Sequence, residues 1–224
     1  GCTVHAFDAA TKTPIAYRAR HVILAVPRFV AKHVVAPWRT TPPEFLSAFM
    51  TTPWVVANLT LSARPTSRGF PLCWDNVFYE SKSLGYVVAT HQSNLANEFG
   101  PTVFTWYYPL SGADVKAERE RLLAAKYDEW EQVVVADLSV AHPHIEERAE
   151  KLEVMRWGHA MVRPTPGFLF GGAREQAAQS LNGVLHFAHT DLGGLPLFEE
   201  ANHYGVRAAE LSLAGLGRSS ATWL

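Results

Sequence analysis

The residues best suited to ligand chemistry lie near the end of the sequence, where Asp191, Gly193 and Gly194 follow a short apolar run. That run, Leu185 to Ala188, has the length and composition of a buried strand, and a helical pattern begins at about Pro196. The start of that helix carries few side chains that could block a ligand, and helix N-termini bind anions through free N–H groups and the helix dipole. The sequence therefore predicts a candidate anion-binding turn between a strand and a helix.

The predicted final helix carries a stripe of small residues, which permits close approach of its backbone. They recur every three or four positions, as Ala201, Gly205, Ala208, Ser212 and Gly215. The stripe would let the helix lie close to a cofactor, or close to a neighbouring sheet with no ligand at all. Both interpretations stay open at this point.

The ten histidines invite a metal interpretation, above all His142 with His144 and His186 with His189. Zinc sites need three or four converging ligands, commonly His pairs at helical spacing or tight Cys pairs. His142 and His144 are instead separated by Pro143 at a predicted helix end, so we interpret them as part of a solvent-facing loop. Cys2 and Cys73 lie far apart and match no metal or disulfide spacing. We expect no metal site.

Motifs of several common enzyme classes are missing from the sequence. There is no Gly-x-Ser-x-Gly motif, which disfavours nucleophilic serine chemistry. Neither the Gly-x-x-x-x-Gly-Lys-Ser/Thr phosphate loop nor the Gly-x-Gly-x-x-Gly dinucleotide motif occurs. No catalytic residue can be named from these patterns.

Composition and charge exclude several classes of protein. The chain has 224 residues, of which 48% are hydrophobic and 18% charged, with a formal net charge of -1. These values are typical of a globular protein with a sizeable core. Without runs of Lys and Arg it lacks the basic surface that nucleic acids require. Charged residues interrupt the most apolar stretch, residues 21–37, so no membrane span is expected. We expect a cytoplasmic protein.

The first part of the chain predicts a hairpin followed by a parallel strand. Two short β-compatible runs, Thr3 to Phe7 and Ile15 to Ala19, are separated by turn residues. The continuous apolar run from His21 to Val26 predicts a strand covered on both faces. Pro27 ends that strand and begins a short helix through Val35. Since the sequence opens Gly-Cys-Thr-Val without Met, we interpret it as part of a longer chain.

The middle of the chain predicts an antiparallel meander and one long helix. Alternating residues predict a strand around 55–61, and further strands are predicted at 77–79, 86–90, 102–108 and 152–157. The helix is predicted from a capping pattern at residues 111–114 to Pro143. Its buried stripe comprises Leu123, Tyr127, Trp130, Val134 and Leu138.

Two segments resemble the flavin-containing amine oxidases, a family of FAD-dependent oxidoreductases. The strand, turn and helix are similar to the family's C-terminal flavin-contacting segment through Phe187-Ala188, Asp191, Gly193-Gly194, Glu199-Glu200-Ala201 and Gly205-Val-Arg207-Ala-Ala209. The run from His21 to Pro27 resembles the family's returning strand after its hairpin, and Trp157 resembles another recurring position. The sequence departs from the family at His189-Thr190 and Glu200, and the N-terminal dinucleotide fingerprint is missing.

The resemblance implies an α+β fold with two parts. One is a mixed, largely antiparallel β-sheet substrate domain with flanking helices, over residues 31–164. The other is an incomplete FAD-binding doubly wound α/β portion, formed by residues 1–30 and 165–224. The chain would then be the C-terminal half to two-thirds of an enzyme. Alone it should bind FAD weakly or not at all, and its apolar cut surface should promote self-association.

The resemblance also implies ligands and site residues. FAD would contact Ala188, Asp191, Gly193, Gly194 and Leu195, with the start of the final helix near Gly194 and Leu195 stabilising negative charge on the reduced flavin. A small-molecule substrate would lie in a cavity whose candidate residues are Trp106, Tyr108, Trp157, His159, Met161 and Arg163. Side chains of these types in strands are also common in protein cores, so a purely structural role is an alternative for each.

The activity implied is hydride transfer from a substrate C–H bond to the flavin, as in amine oxidation. Two alternatives remain open. The same fold could act as a desaturase or isomerase on an apolar, lipid-like substrate. The chain could also be a non-catalytic interaction module in which the strand, turn and helix serve packing alone.

Overall fold

The structure, a computed structural model, describes residues 1–66, 72–93, 100–218 and 222. The chain divides into two compact units. The terminal unit combines Gly1–Met50 with Met161–Leu224, and the central unit comprises Thr51–Ala160. Residues 31–50 thus lie with the termini, whereas the sequence predicted a boundary at about residue 30.

The elements follow the chain in this order: β1 (Cys2–Asp8), β2 (Thr13–Ala19), β3 (Val22–Leu24), α1 (Arg28–Val34), α2 (Ala36–Thr40), β4 (Thr51–Leu61), β5 (Asp75–Asn76), β6 (Tyr86–Val88), β7 (Thr102–Pro109), α3 (Val115–Ala124), α4 (Tyr127–Ala141), β8 (Ala149–Val162), α5 (Ala173–Ala177), β9 (Leu185–Phe187) and α6 (Phe198–Gly215). Short 3-10 turns lie at Glu44–Ala48, Ala89–Gln92, Ile145–Arg148 and Thr190–Leu192. None of the helices within the described ranges is long and apolar enough to span a membrane.

The terminal unit contains the predicted hairpin and a short parallel pair of strands. β1 and β2 pair antiparallel from Cys2 opposite Ala19 to Asp8 opposite Thr13. β3 pairs with β9 in parallel, with Ile23 opposite His186. The prediction that β3 is covered on both faces is wrong for the described residues, because Ile23 is 41% exposed. In the described part of the chain β3 belongs to a two-stranded sheet, and only the side facing Phe187 is packed.

The core of the terminal unit joins the two ends of the chain. Trp38 of α2 stacks on Phe187 of β9 with ring centroids 5.2 Å apart, and Ala31 of α1 is fully buried beside them. Burying aromatic rings of this size removes a large apolar area from water and is favourable by a few kcal/mol for each ring. Residues separated by about 150 positions are thereby fixed in one body.

The central unit is a five-stranded sheet in the order β5-β6-β7-β4-β8. β4 and β7 pair antiparallel from Trp54 opposite Pro109 to Leu61 opposite Thr102. The predicted alternation in β4 is confirmed, because Val55, Ala57, Leu59 and Leu61 are all buried. The strand predicted at 77–79 is wrong. Pairing with β6 ends at Asn76, and Val77 and Tyr79 are 68% and 99% exposed.

The predicted single long helix is wrong, because it breaks into α3 and α4. At the break, Nη1 of Arg156 donates to the carbonyl oxygens of Leu123 and Ala125, at 3.0 and 3.4 Å. The Glu129 side chain accepts the backbone N–H of Lys126 at 3.2 Å, which starts the second helix. These side chains satisfy the backbone groups that a break exposes, so contacts outweigh the helix propensity of Ala124-Ala125-Lys126.

The break also shortens the predicted buried stripe. Trp130, Val134 and Leu138 of α4 are buried, as predicted, but Leu123 and Tyr127 are 61% and 48% exposed. The two residues flank the break, so they no longer continue the face that the later residues form.

Candidate functional site

The candidate cofactor-binding turn lies at the end of the short parallel sheet. Ala188, directly after β9, is buried and donates its N–H to the carbonyl of Leu24 at the end of β3, at 3.1 Å. The 3-10 turn Thr190–Leu192 follows, and it buries Asp191. Arg28 begins α1 close after β3, so Arg28 and Asp191 lie at the carboxyl ends of two adjacent parallel strands. In open α/β sheets ligands bind outside this edge.

Asp191 is an anchored carboxylate. Its Oδ2 accepts the backbone N–H of Arg28 at 2.8 Å, and its Oδ1 lies 3.2 Å from Nδ1 of His189. Burial raises the pKa of Asp191, but the hydrogen bonds with His189 and the Arg28 N–H, together with the Arg28 charge, outweigh burial and lower that pKa below its ordinary value. Asp191 is therefore an anion at neutral pH.

Arg28 is a functional candidate that sequence reasoning missed. It is 1% exposed, and its guanidinium carbon lies 4.7 Å from the centre of the Phe187 ring, in cation–π geometry. Nη2 donates to the carbonyl of Val26 at 3.2 Å, whereas Nε and Nη1 are buried without a hydrogen-bond partner among the described residues. Burial lowers the pKa of Arg28 to about 10, against the opposing effect of Asp191. The side chain therefore stays cationic at neutral pH.

Buried guanidinium donors without acceptors fit an anionic group such as a phosphate. Leaving such donors unpaired costs roughly 1–3 kcal/mol each or more, and charged donors to phosphate are among the stronger hydrogen bonds in proteins. A signal for Arg28 was present in the sequence, because it interrupts the most apolar stretch of the chain. The residues at this edge thus fit an anionic cofactor at Arg28.

The two glycines of the turn are packed against the chain itself. Gly194 has a φ of +76°, and an added Cβ would lie 2.8 Å from Cδ2 of Leu169 and 2.9 Å from Cδ of Arg174. A Cβ on Gly193 would overlap the carboxylate of Glu200. Their N–H groups donate within the turn, to the carbonyls of Thr190 and Asp191. The N–H groups of Gly193 and Gly194 therefore already have acceptors within the turn. A cofactor contact at either glycine, or at the partly exposed Leu195, stays a prediction.

The final helix begins close to its predicted start at about Pro196, but Gly194 and Leu195 lie before the helix rather than in its first turn. α6 begins at Phe198, and its first turn contains Glu199 and Glu200. These two carboxylates already balance the partial positive charge at the start of the helix, and they repel a further anion there. The positive charge at the candidate site comes from side chains, Arg28 and Arg174, whose Nη1 donates to the carbonyl of Gly193 at 2.7 Å, rather than from α6.

The small-residue stripe of α6 serves packing at part of its length. Ala208 is 1% exposed, and an added Cβ on Gly215 would overlap the ring of His21. By contrast, a Cβ added to Gly205 would have no other atom within 4 Å, and Ala201 is exposed. The C-terminal half of the stripe therefore allows a close approach to the start of β3.

A relay of three side chains lies under the same sheet and was not foreseen. Nδ1 of His21 is 3.0 Å from Nε2 of the buried His186, with the rings stacked at 5.3 Å, and Nδ1 of His186 is 2.7 Å from Oγ of Ser180. Burial, His21 and Arg207 together lower the pKa of His186. The relay is structural in character, because each nitrogen of His186 already has a partner inside the fold.

Two substrate-cavity candidates line a groove in the central unit. Trp106 and Tyr108 of β7 face α4 across a groove of about 460 Å³. Its polar wall is organised by Asp137, which accepts from Nε1 of Trp106 at 2.7 Å and from Oγ of Ser83 at 2.6 Å, and also from Oγ of Ser81. Trp106 is 1% exposed, so it belongs to the helix-covered side of the sheet.

Trp157 and His159 of β8 belong to the opposite side of the sheet. Even-numbered residues of β8 face the helices, since Arg156 bonds to the end of α3 and Leu152 and Val154 pack into the core. Odd-numbered residues therefore point the other way, and Trp157 is 52% exposed. The structure does not bring Trp106 and Tyr108 together with Trp157 and His159.

The side of the sheet away from the helices carries functional candidates that the sequence analysis passed over. Trp54 and Tyr107 stack with centroids 6.3 Å apart, and Oγ1 of Thr105 donates to Oδ1 of Asn58 at 2.8 Å. Tyr107 also donates to Asp75 at 2.7 Å, and burial together with that carboxylate raises its pKa to about 12. The alternation of β4 could have identified this face, because every second residue from Trp54 points to it.

The remaining candidates, Met161 and Arg163, belong to the terminal unit, where the N–H of Arg163 donates to the carbonyl of Met50 at 2.7 Å. The solvent-facing interpretation holds for His144, which is exposed, but is wrong for His142. His142 is 7% exposed, and its Nε2 lies 2.6 Å from the hydroxyl of Tyr86, because the end of α4 turns it into the core. No group of three His, Cys, Asp or Glu within the described ranges could hold a metal ion.

Comparison with known proteins gives matches of fold alone. No protein-family model matches the chain, and no curated protein matches its sequence. Cyclohexylamine oxidase from Brevibacterium oxydans is 17% identical, with a TM-score of 0.62 over 92% of this chain and 45% of its own. A putrescine oxidase variant redesigned in cofactor binding is 16% identical, with a TM-score of 0.64 over 89% of this chain and 44% of its own.

Reduced UDP-galactopyranose mutase matches equally well. It is 15% identical, with a TM-score of 0.65 over 95% of this chain and 45% of its own. The chain has the fold of part of these three enzymes. It spans less than half the length of each of them.

Proposed function

We propose that the chain is part of a flavin-dependent oxidoreductase similar to the amine oxidases, with FAD as cofactor and a small molecule as substrate. The observation that carries the proposal is the fold, which matches two amine oxidases and a mutase over about nine-tenths of this chain. The sequence resemblance of the segment from β9 to α6 to the family's C-terminal flavin-contacting segment, and of β3 to its returning strand, also supports it.

One unit would bind the cofactor and the other would bind the substrate. The terminal unit would contribute to the FAD-binding domain, and the central unit would be the substrate-binding domain, with ligand contacts from residues such as Trp157 and His159. The terminal unit exposes several large apolar side chains, among them Phe7, Phe170 and Phe198 at 67%, 94% and 80%. Such surface favours association with further polypeptide or with a second copy.

FAD, when bound, would supply the chemistry of hydride acceptance from a substrate C–H bond. The residues of this chain would bind and orient it. Asp191 is anionic and accepts hydrogen bonds only, so it suits a ribityl hydroxyl better than a phosphate. Its hydrogen bond from the Arg28 N–H would hold the carboxylate at a fixed place at the strand ends.

A second candidate function keeps the fold but makes the net reaction an isomerisation. The match to UDP-galactopyranose mutase favours it, because that enzyme is a mutase with a TM-score as high as those of the oxidases. An isomerase acting on an apolar, lipid-like substrate belongs to the same candidate class, whereas a desaturase acting on such a substrate would carry out a net oxidation.

The experiment is to produce a chain extended upstream of Gly1 through its natural sequence and to measure visible flavin absorption before and after adding a panel of primary and secondary amines without oxygen. Bound flavin that is bleached by an amine supports the oxidase. Bound flavin that no amine reduces, but that converts a substrate without net oxidation, supports the isomerase. A folded, colourless protein contradicts both.

A further inference from the structure

Arg28 stands out as a buried cation that the fold only partly satisfies. Two of its three guanidinium nitrogens, Nε and Nη1, are buried without a hydrogen-bond partner among the described residues. The third, Nη2, makes one bond of 3.2 Å to the carbonyl of Val26. Charged donors in protein interiors rarely lack acceptors. We therefore expect the acceptor for Nε and Nη1 to be a bound ligand.

The neighbours of Arg28 do not compensate for the free-energy cost of burying its guanidinium. Phe187 offers a ring face at 4.7 Å, which attracts the cation but accepts no N–H in the plane of the guanidinium. Asp191 offers a carboxylate, but its Oδ2 is bonded to the Arg28 backbone N–H rather than to the guanidinium. A purely structural residue at this position would be better served by an apolar side chain of similar volume.

The location of Arg28 supplies a second, independent indication. The residue follows β3, and it lies beside the turn that follows the parallel neighbour β9. The carboxyl edge of such strands is where ligands of α/β sheets bind. A cation with spare planar donors at this edge matches a phosphate, which accepts two parallel N–H bonds from one guanidinium.

We propose that the Arg28 guanidinium binds the diphosphate of the cofactor, with Nε and Nη1 as the donors. The inference rests on the proposed function, because it takes FAD as the ligand. Diphosphate is the negatively charged part of oxidised FAD, whereas riboflavin carries no phosphate. Asp191 and Arg28 thus divide the ligand, with the carboxylate accepting from hydroxyl groups and the guanidinium donating to phosphate. Since Nε and Nη1 are covered in the free chain, the side chain must shift when the ligand binds.

The test compares three ligands on the chain extended upstream of Gly1. FAD, ADP and riboflavin are titrated by calorimetry into the parent protein, Arg28→Gln and Arg28→Lys. Arg18→Gln, on the exposed strand β2 of the same unit, is the matched control. We expect Arg28→Gln to weaken FAD and ADP by about tenfold or more, as for the loss of a charged hydrogen bond. Arg28→Lys, which keeps the charge but loses the fork, should fall between, and riboflavin should bind all proteins alike.

Each other outcome decides against the assignment in a different way. Equal FAD and ADP affinities in Arg28→Gln and the parent overturn the role of Arg28 while leaving the flavoenzyme proposal intact. Equal loss of riboflavin and ADP shows that Arg28 acts on the fold or on the ring instead. A parent protein that binds no flavin removes the proposed function, and the assignment falls with it.

A stability measurement guards against a variant that fails to fold. Thermal unfolding without ligand uses Arg28→Met combined with Asp191→Asn, because Arg28→Met alone would leave the buried Asp191 carboxylate without its countercharge. The double variant removes both charges and the unpaired donors, so it should unfold at the same temperature as the parent or higher. A clear fall in unfolding temperature for Arg28→Met/Asp191→Asn, with no fall for Arg18→Gln, would identify Arg28 as a structural residue and overturn the proposal.

Discussion

The backbone N–H of Arg28 donates to Oδ2 of Asp191 at 2.8 Å, although the two residues are 163 positions apart in the sequence. This bond joins the end of β3 to the turn after β9, and it places a buried carboxylate and a buried guanidinium side by side at one edge of the sheet. The arrangement of the two charges, more than the glycines of the turn, defines the candidate cofactor site.

Replacing Asp191 by Ala should destabilise the protein by about 3 kcal/mol, because Arg28 loses both a hydrogen-bond acceptor and its nearest countercharge. Asp191→Asn keeps an acceptor oxygen and should cost less. Urea unfolding of both variants measures the difference. An Asp191→Ala protein as stable as the parent would show that the bond contributes nothing to folding.

Gly194→Ala should destabilise the chain by about 1–3 kcal/mol and should reduce flavin retention in the extended chain. The φ of +76° disfavours any side chain, and the added Cβ would press against Leu169 and Arg174. Gly205→Ala is the matched control, since α6 leaves open space there and Ala favours a helix by about 1 kcal/mol over Gly. Equal unfolding temperatures for the two variants would contradict the packing of the turn.

These packing relations mark the limit of what the sequence could predict. The hairpin, the β4 alternation and α6 followed from local patterns, because apolar periodicity and turn residues act over a few positions. The break at Lys126 depends on Arg156 and Glu129, and the burial of His142 depends on Tyr86. Such long-range contacts leave no periodic signal. Asp191 was identified as a candidate from the turn and the family resemblance. Its partner Arg28 was missed, because their contact joins residues 163 positions apart.

Stability should fall as the pH drops below about 6.5. Burial lowers the pKa of His186 and of His142 in the folded chain, so the unfolded chain binds protons more readily, starting near the ordinary histidine pKa of 6.5. His21 and Arg207 face His186 and disfavour a positive charge on its ring. Ser180, which also bonds to His186, is neutral and does not balance such a charge.

The measurement is urea unfolding at about pH 7 and about pH 5, above and below the histidine pKa. The free energy of unfolding should differ less between the two pH values in His186→Gln than in the parent. The difference should be smaller still when His186→Gln is combined with His142→Gln. A parent protein with the same free energy of unfolding at both values would contradict the burial of neutral histidines.

Asp137→Ala should destabilise the central unit by about 2–3 kcal/mol, because it leaves the donors of Trp106, Ser81 and Ser83 without their acceptor. Glu131→Ala, on the exposed side of the same helix, is the control and should change stability by less than about 0.5 kcal/mol. The readout is urea unfolding followed by tryptophan fluorescence. Similar values for both variants would show that the Asp137 network does not hold α4 to the sheet.

The central claim is that this chain forms part of an FAD site, and the most direct measurement is the identity and amount of cofactor that copurifies with the chain extended upstream of Gly1. We predict close to one FAD per chain, released on denaturation and identified by mass, and little or none with the 224-residue chain alone. A well-folded extended chain that carries no flavin, and takes up none when FAD is added, would contradict the account.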